Sequence, residues 1–216
     1  MPTKLKYQTV TPLLKKVLTQ LMSNVLFHPF QLVGVTSLSL QLGHRISDDI
    51  DLFTDYEYDS IDFRVIQDWL RTQFAYCNGD CGEIVGFGCS YIIGDSVDDS
   101  VKLDLFYTDP FIRPAKVIDN IRLTSFEDII AMKLDVIGRG GRKKDFWDIH
   151  ELHNTYSITE MLNLYVERFP YNHTKEEIIQ GFTNFDIADS DPNPKCLKKK
   201  NWQLIKLDFI DWLKQT

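Results

Sequence analysis

The run Asp49-Ile50-Asp51-Leu52-Phe53 sets carboxylates at positions 49 and 51 and aliphatic side chains at 50 and 52. Side chains of a strand alternate between its two faces, so this segment reads as a strand with Ile50 and Leu52 in a core and both acids on the other side. Val101-Lys102-Leu103-Asp104-Leu105 repeats the pattern, with Lys102 and Asp104 sharing the face opposite Val101, Leu103 and Leu105. If the two strands are neighbours, Asp49, Asp51 and Asp104 converge. Adjacent carboxylates repel each other, and that repulsion raises a pKa unless something neutralises it. A divalent cation does so, and Mg²⁺ typically takes one or two carboxylates together with substrate phosphates. Three such acids are able to hold two cations about 4 Å apart for an in-line displacement at phosphorus. On pattern alone, a solvated polar strand face accounts for the same residues, because D-x-D also recurs by chance.

The rest of the chain is read around these strands. Residues 11–23 place Leu13, Leu14, Val17, Leu18 and Leu21 at helical spacing. Residues 30–33 form a short strand ended by Gly34, and 36–42 a short helix closed by Gly43. Residues 61–74 form an amphipathic helix. Strands at 84–93 and 101–107, joined by the turn-rich 94–99, make a hairpin. From Ser125 the pattern is helical, with breaks near 138–141, Pro170 and 191–194. The order predicts an α+β fold, a mixed β-sheet flanked by helices followed by a C-terminal helical domain. The boundary falls in 115–124, giving domains 1–120 and 121–216.

Composition narrows the class. The 216 residues suit one domain or two small ones. With 44% hydrophobic and 25% charged residues, a disordered or fibrous chain is excluded. No apolar run reaches the ~18 residues of a membrane span. Residues 1–6 lack the apolar stretch of a secretory signal, so a cytoplasmic location is expected. The net charge is −7, and residues 1–120 hold 10 basic against 16 acidic side chains. Such a half is a poor nucleic-acid surface by itself and suits a site that collects divalent cations. Cys77, Cys81 and Cys89 are separated by three and seven residues with no nearby histidine, which fits reduced thiols better than zinc.

Upstream, Gln31-Leu32-Val33-Gly34-Val35-Thr36-Ser37 is a strand that ends in glycine, followed by a hydroxyl residue opening a helix. That corner offers backbone N–H groups and a positive helix end to a phosphate. It does not match the P-loop, which ends Gly-Lys-Ser/Thr. Residues 32–40, then Gly43-His44-Arg45-Ile46-Ser47, then Asp49-Ile50-Asp51-Leu52-Phe53 together resemble the first motif of the AbiEii/AbiGii-type nucleotidyltransferase toxin family, within the DNA-polymerase-β-like superfamily. The resemblance continues through Asp104, Ala131-Met132-Lys133, Arg139 and Lys144-Asp145-Phe146-Trp147-Asp148-Ile149.

The resemblance implies roles. Gly34 and Thr36 would hold the triphosphate of a nucleotide, and Asp49 and Asp51 would bind both Mg²⁺ ions. Asp104 would hold the catalytic metal and help deprotonate the acceptor hydroxyl. Lys133 would contact the triphosphate, and Asp148 occupies the later acidic motif of the nucleotide site. The sequence departs from the family pattern at Val35, where a second glycine is usual. A β-branched residue tolerates neither positive φ nor close phosphate approach, which puts nucleotide binding in question.

Other residues are read directly. Lys133 falls inside the apolar stripe Phe126, Ile129, Ile130, Val136, Ile137. A lysine there snorkels, pairs with an acid or reaches a phosphate. Arg139, Arg142, Lys143 and Lys144 form a basic knot among glycines, either a solvated loop or a phosphate contact to nucleotide or RNA. Lys195 and Lys198 to Lys200 form a second cluster. His150-Glu151-Leu152-His153 is one residue short of a zinc motif and reads as surface helix. The resemblance, through the motif that holds His44, Arg45 and Ser47, implies that Arg45 lies near the carboxylates and pairs with one of them to fix its rotamer.

These readings predict a Mg²⁺-dependent nucleotidyltransferase using an NTP. The resemblance adds a toxin–antitoxin or phage-defence setting, tRNA as acceptor and a cognate antitoxin, while the net charge of −7 also admits a protein acceptor. Two alternatives stand beside it. One is a catalytically degenerate relative that binds a partner. The other is an enzyme for a small hydroxyl compound such as an antibiotic, which the net charge of −7 favours over RNA.

Overall fold

The acid–apolar alternation at 49–54 forms strand β2 (Asp49–Thr54), and its counterpart forms β5 (Ser100–Tyr107). The two lie side by side in parallel, with Asp49 opposite Lys102 and Asp51 opposite Asp104. Ile50, Leu52, Leu103 and Leu105 are fully buried. The computed structural model describes residues 4–82 and 86–214.

Two compact units make up the chain. The first comprises Met1–Leu42, Ser47–Pro110 and Ala115–Thr124, and the second Gly43–Ile46, Phe111–Pro114 and Ser125–Thr216.

The first unit is built on a seven-stranded mixed sheet. Besides β2 and β5 it contains β1 (Gln31–Leu32), β3 (Tyr76–Asn78), β4 (Gly88–Gly94), β6 (Lys116–Ile118) and β7 (Ile121–Leu123). The strand order is β3-β4-β5-β2-β1-β7-β6. β4 runs antiparallel to β5, and β1 antiparallel to β2. Helix α1 (Pro12–Ser23) starts on Thr11, whose hydroxyl accepts from the Leu14 N–H, with proline at the first helical position. Its Leu14, Val17, Leu18 and Leu21 pack with Ile50, Leu52, Leu103 and Leu105 in one apolar core. Helices α2 (Gly34–Leu42) and α3 (Phe63–Gln73) complete the unit, α3 being capped by Asp62.

β3, β6 and β7 are absent from the sequence-based order. β6 and β7 form a tight hairpin turned on Asp119 and Asn120, both at positive φ (52° and 63°). Asp and Asn tolerate the left-handed region that a two-residue hairpin demands. The strand expected from 84 begins at Gly88, and Ile84 and Val85 lie outside the described residues.

The second unit is helical: α4 (Phe126–Gly138), α5 (Lys143–Leu152), α6 (Ile158–Arg168), α7 (Lys175–Gly181), α8 (Asp186–Ser190) and α9 (Trp202–Leu213). Ser157 with Glu160 and Thr174 with Glu177 form capping boxes that start α6 and α7. Ile130, Leu134, Ile137, Phe146, Tyr165 and Phe209 are buried, and the Phe146 and Phe209 rings meet edge-on at 5.4 Å. Residues 43–46 join this unit through an Arg45–Cys196 bridge, flanked by backbone hydrogen bonds from Ile46 to Lys195 and from Leu197 to His44. Among the described residues no helix is long and apolar enough to cross a membrane, and the four cysteines are free.

Candidate active site

In the first unit, strand pairing alone puts Asp49, Asp51, Lys102, Asp104 and Ser90 on one face. Ser90 lies opposite Asp104 across β4–β5, and Asp51 lies opposite it across β2–β5. Ser90 Oγ donates to Asp104 Oδ1 at 2.7 Å, and Lys102 Nζ lies 2.6 Å from Asp104 Oδ2. The Asp104 side chain is 15% exposed and that of Lys102 46%. The hydrogen bond to Asp104 raises the Lys102 pKa against partial desolvation, and the charges of Asp104, Asp49 and Asp51 add to the rise.

A cation such as Mg²⁺ prefers hard oxygen ligands, and these acids, in register on neighbouring strands, supply carboxylate oxygens. Their type and register fit such an ion. Their present rotamers do not gather: among the described residues, no three His, Cys, Asp or Glu side chains are grouped closely enough to hold a metal. Asp104 is engaged by Ser90 and Lys102 instead.

Gly34 brings the start of α2 against the same acids. Its φ is +64°, and a Cβ there would sit 2.8 Å from Asp51 Oδ2. Only glycine combines that backbone conformation with that approach. Thr36, in the first turn, is fully buried. Its hydroxyl donates to the Asp49 carbonyl, so the Ser47 hydroxyl, 2.7 Å away, donates to Thr36. Thr36 and Ser47 thereby tie α2 to the entry of β2. Val35 lies within α2 and is absent from the positive-φ positions, so the left-handed conformation expected to strain a valine is carried by Gly34 alone.

The second unit holds a buried ionic cluster. Asp148 accepts from Arg45 Nε (2.7 Å) and Nη2 (2.8 Å) and from His44 Nε2 (2.8 Å), and Lys133 Nζ lies 2.7 Å away. The His44 contact requires the Nε2–H tautomer or imidazolium. Lys133 also lies 2.7 Å from Asp145 Oδ1, and Arg142 Nε donates to Asp145 Oδ2 at 3.0 Å. Burial pushes the Asp148 carboxyl up, but the charges of Lys133 and Arg45 and the hydrogen bonds from Arg45 and His44 hold it well below the usual range. Asp145 is likewise lowered, with Lys133 and Arg142 outweighing burial. For Lys133, burial is outweighed by Asp145 and Asp148, and its pKa rises.

Lys133 thus realises the ion-pairing option for a lysine on an apolar stripe. Arg45 departs from expectation. It pairs with Asp148 and not with an acid of β2, because residues 43–46 belong to the second unit. Arg139 is 62% exposed and pairs with Asp135 at 2.6 Å. Lys144 has a lowered pKa from desolvation and from the charges of Arg142, Lys133 and Arg45, and carries no ion pair among the described residues. His150 bonds Asp208 and Lys200, while His153 stacks on Trp212 at 3.6 Å. Lys198 and Lys200 both pair with Glu151.

Three participants carried no role in the sequence reading. Ser90 sits at a polar position of β4, but only strand pairing shows it facing Asp104. Lys102 was legible as a neighbour on the face of Asp104, though the spacing does not reveal the ion pair. Asp145 stands at the third position of α5, where its carboxylate accepts from the backbone N–H of Arg142.

The family of nucleotidyl transferase AbiEii toxins, of type IV toxin–antitoxin systems, matches residues 16–212. The chain belongs to this family. The AbiEii match, residues 16–212, includes every residue of both clusters described above. An uncharacterized protein of Aquifex aeolicus is 31% identical over 141 residues, 62% of this chain. The chain spans 63% of the length of that curated relative. The nucleotidyltransferase toxin MenT4 of Mycobacterium tuberculosis superposes with a TM-score of 0.60 at 12% identity, covering 93% of this chain and 84% of that one. JHP933 of Helicobacter pylori gives 0.56 at 15% identity, covering 93% and 89%. These likenesses establish a shared fold.

Proposed function

We propose that this AbiEii-family chain transfers a nucleoside monophosphate from an NTP to an acceptor hydroxyl. The acceptor oxygen forms a new bond to the α-phosphorus, the α–β phosphoanhydride bond breaks, pyrophosphate leaves, and the hydroxyl proton passes to a base. The observation that carries this reading is the parallel β2–β5 register, which sets Asp51 opposite Asp104 on the face that Gly34 approaches.

Asp49 and Asp51 are assigned to hold two Mg²⁺ ions, with Asp104 completing the set. When bound, the ions supply charge neutralisation for the phosphates and acidify the acceptor hydroxyl. Asp104 takes part in removing that proton. Gly34 leaves room for the nucleotide phosphates beside Asp51, and Thr36 and Ser47 hold the corner in shape. In the second unit, the exposed Arg139 is assigned to phosphate contact, with Lys144 as a further cation, while Lys133 is held by Asp145 and Asp148. Asp148 fixes Lys133, Arg45 and His44. The family's type IV classification supports a toxin with a cognate antitoxin. The acceptor proposed for it is tRNA or protein, the setting the cytoplasm, and the role phage defence.

Incubation with labelled NTP and Mg²⁺, offering total RNA, total protein and small hydroxyl compounds separately, tests the proposal. Label should pass to one acceptor class and vanish with Asp49→Asn/Asp51→Asn. Failure of the wild-type chain to label any class removes the enzyme reading. The Asp104–Lys102 ion pair favours a second reading, a degenerate member that works by binding a partner. Calorimetry with Mg²⁺-NTP separates the two: binding lost in Asp49→Ala/Asp51→Ala supports the enzyme, and no binding to either protein supports the partner module.

A further inference from the structure

The acid face of the first unit contains its own cation. Lys102 lies two residues before Asp104 on β5, hence on the same side of the sheet, and directly opposite Asp49 of β2. Its ammonium sits 2.6 Å from Asp104 Oδ2, while Ser90 holds Oδ1. We infer that Lys102 is the resident counter-ion of Asp49, Asp51 and Asp104, and that a divalent cation binds by taking Asp104 away from it. This inference rests on the nucleotidyltransferase reading of the site.

First, three carboxylates on two adjacent strands repel one another, and without a cation that repulsion strains the sheet. Lys102 supplies one positive charge among them. Second, Asp104 cannot present Oδ2 to an incoming cation while the ammonium occupies it, since two cations at hydrogen-bond range from one oxygen repel strongly. Third, the side chain is built to leave. Lysine is a point charge on a flexible four-carbon stem, and here it is nearly half exposed, so its head can swing into water without stranding a buried charge. Exposed ion pairs of this kind are weak. The buried Lys133–Asp148 pair has no such exit, because neither partner reaches solvent appreciably.

Lys102 therefore competes with the metal. It lowers cation affinity, and it protects the strands from repulsion when cations are scarce. A lysine that instead pre-positioned Asp104 for the metal would raise affinity.

Mn²⁺ binding to the purified full chain, followed by electron paramagnetic resonance of the free ion, distinguishes the two. Lys102→Met should bind Mn²⁺ more tightly than wild type by about twofold to fivefold, the range that exposed ion pairs carry. Lys102→Arg, which keeps the charge, should not tighten binding. Without metal, Lys102→Met should unfold at a lower temperature than wild type, and saturating Mn²⁺ should close the gap. Lys102→Gln replaces Lys102→Met if the latter does not fold. Unchanged or weaker Mn²⁺ binding in the charge-removed variant overturns the inference while leaving the enzyme reading intact. Binding unaffected by Asp104→Asn also overturns it, since the contested ligand would not be Asp104. Absence of Mn²⁺ binding in wild type and both variants overturns the inference together with the metal-dependent reading beneath it.

Discussion

At Gly34 the backbone and the site make one demand between them. The φ of +64° costs a non-glycine residue roughly 1–2 kcal/mol, and the missing Cβ leaves 2.8 Å to Asp51 Oδ2. Gly34→Ala should therefore displace the Asp51 carboxylate. A misplacement near 1 Å is worth on the order of a hundredfold in rate, so nucleotidyl transfer should fall about that far with a modest drop in melting temperature. Transfer within a few-fold of wild type would show that Asp51 tolerates the methyl group. Val35 offers the contrast. It sits buried inside α2, so Val35→Gly should lower stability by about 2–4 kcal/mol, from lost apolar burial together with the cost of helix glycine, without raising transfer. A tenfold gain would restore Val35 as a defect. The sequence made the acids legible because period two needs no partner to be read. It made Lys133 conspicuous as a charge in an apolar stripe. It could not show that Lys133 meets Asp145 and Asp148, or that Arg45 meets Asp148, because those contacts join segments up to 103 residues apart.

Among the elements, legibility followed length and pattern. α1, β2, α3 and β5 are long enough for periodicity to emerge, and their observed bounds lie within about two residues of those expected, a normal scatter for element ends. β3, β6 and β7 have three residues each, too few to display alternation. For β6–β7 a signal was present in Asp119-Asn120, a two-residue hairpin turn between Val117-Ile118 and Ile121. The break before α6 was also written in the capping box Ser157-x-x-Glu160. What joins α4 to α6 was not readable. Arg168 Nη1 donates to Asp128 Oδ1 at 2.5 Å, both side chains are fully buried, and Asp128 also accepts from the backbone of Ile112 and Arg113. Removing one partner of a buried ion pair leaves the other uncompensated. Arg168→Ala should cost about 3–5 kcal/mol, measured by denaturant unfolding of the full chain. A loss below about 1 kcal/mol would mean that the backbone donors and Ser125 suffice to hold Asp128.

Titration of the whole molecule follows from the direction of its buried pKa shifts. Asp145, Asp148 and Glu151 all lie below their ordinary values, in each case because nearby cations outweigh burial. A carboxyl lowered on folding contributes stability above its unfolded pKa, about 4, and that contribution is lost as pH falls through the lower folded value. Lys133 is shifted up, so its contribution is complete below about 10.4 and is lost only as pH rises through a still higher value. His150 and His153 are shifted down, first by burial. They contribute fully above about 6.5 and lose that contribution as pH falls through their folded values. Against this, the net charge of −7 relaxes as acid is added, which relieves self-repulsion. The local terms should win, because paired buried charges are poorly screened whereas dispersed surface charge is weakened by salt. In moderate salt the melting temperature should be flat from about pH 7 to 8, decline above about 8.5 where burial keeps the Cys77 and Cys89 thiols protonated only in the folded chain, decline gently below about 6.5 and fall steeply below about 4. Asp148→Asn keeps the shape of the side chain but removes the buried carboxylate that Arg45, His44 and Lys133 hold below its ordinary range, so its melting curve should start lower and lose much of the acid limb. A wild-type melting temperature that rises between pH 7 and pH 5 would mean that relief of net charge outweighs the buried cluster.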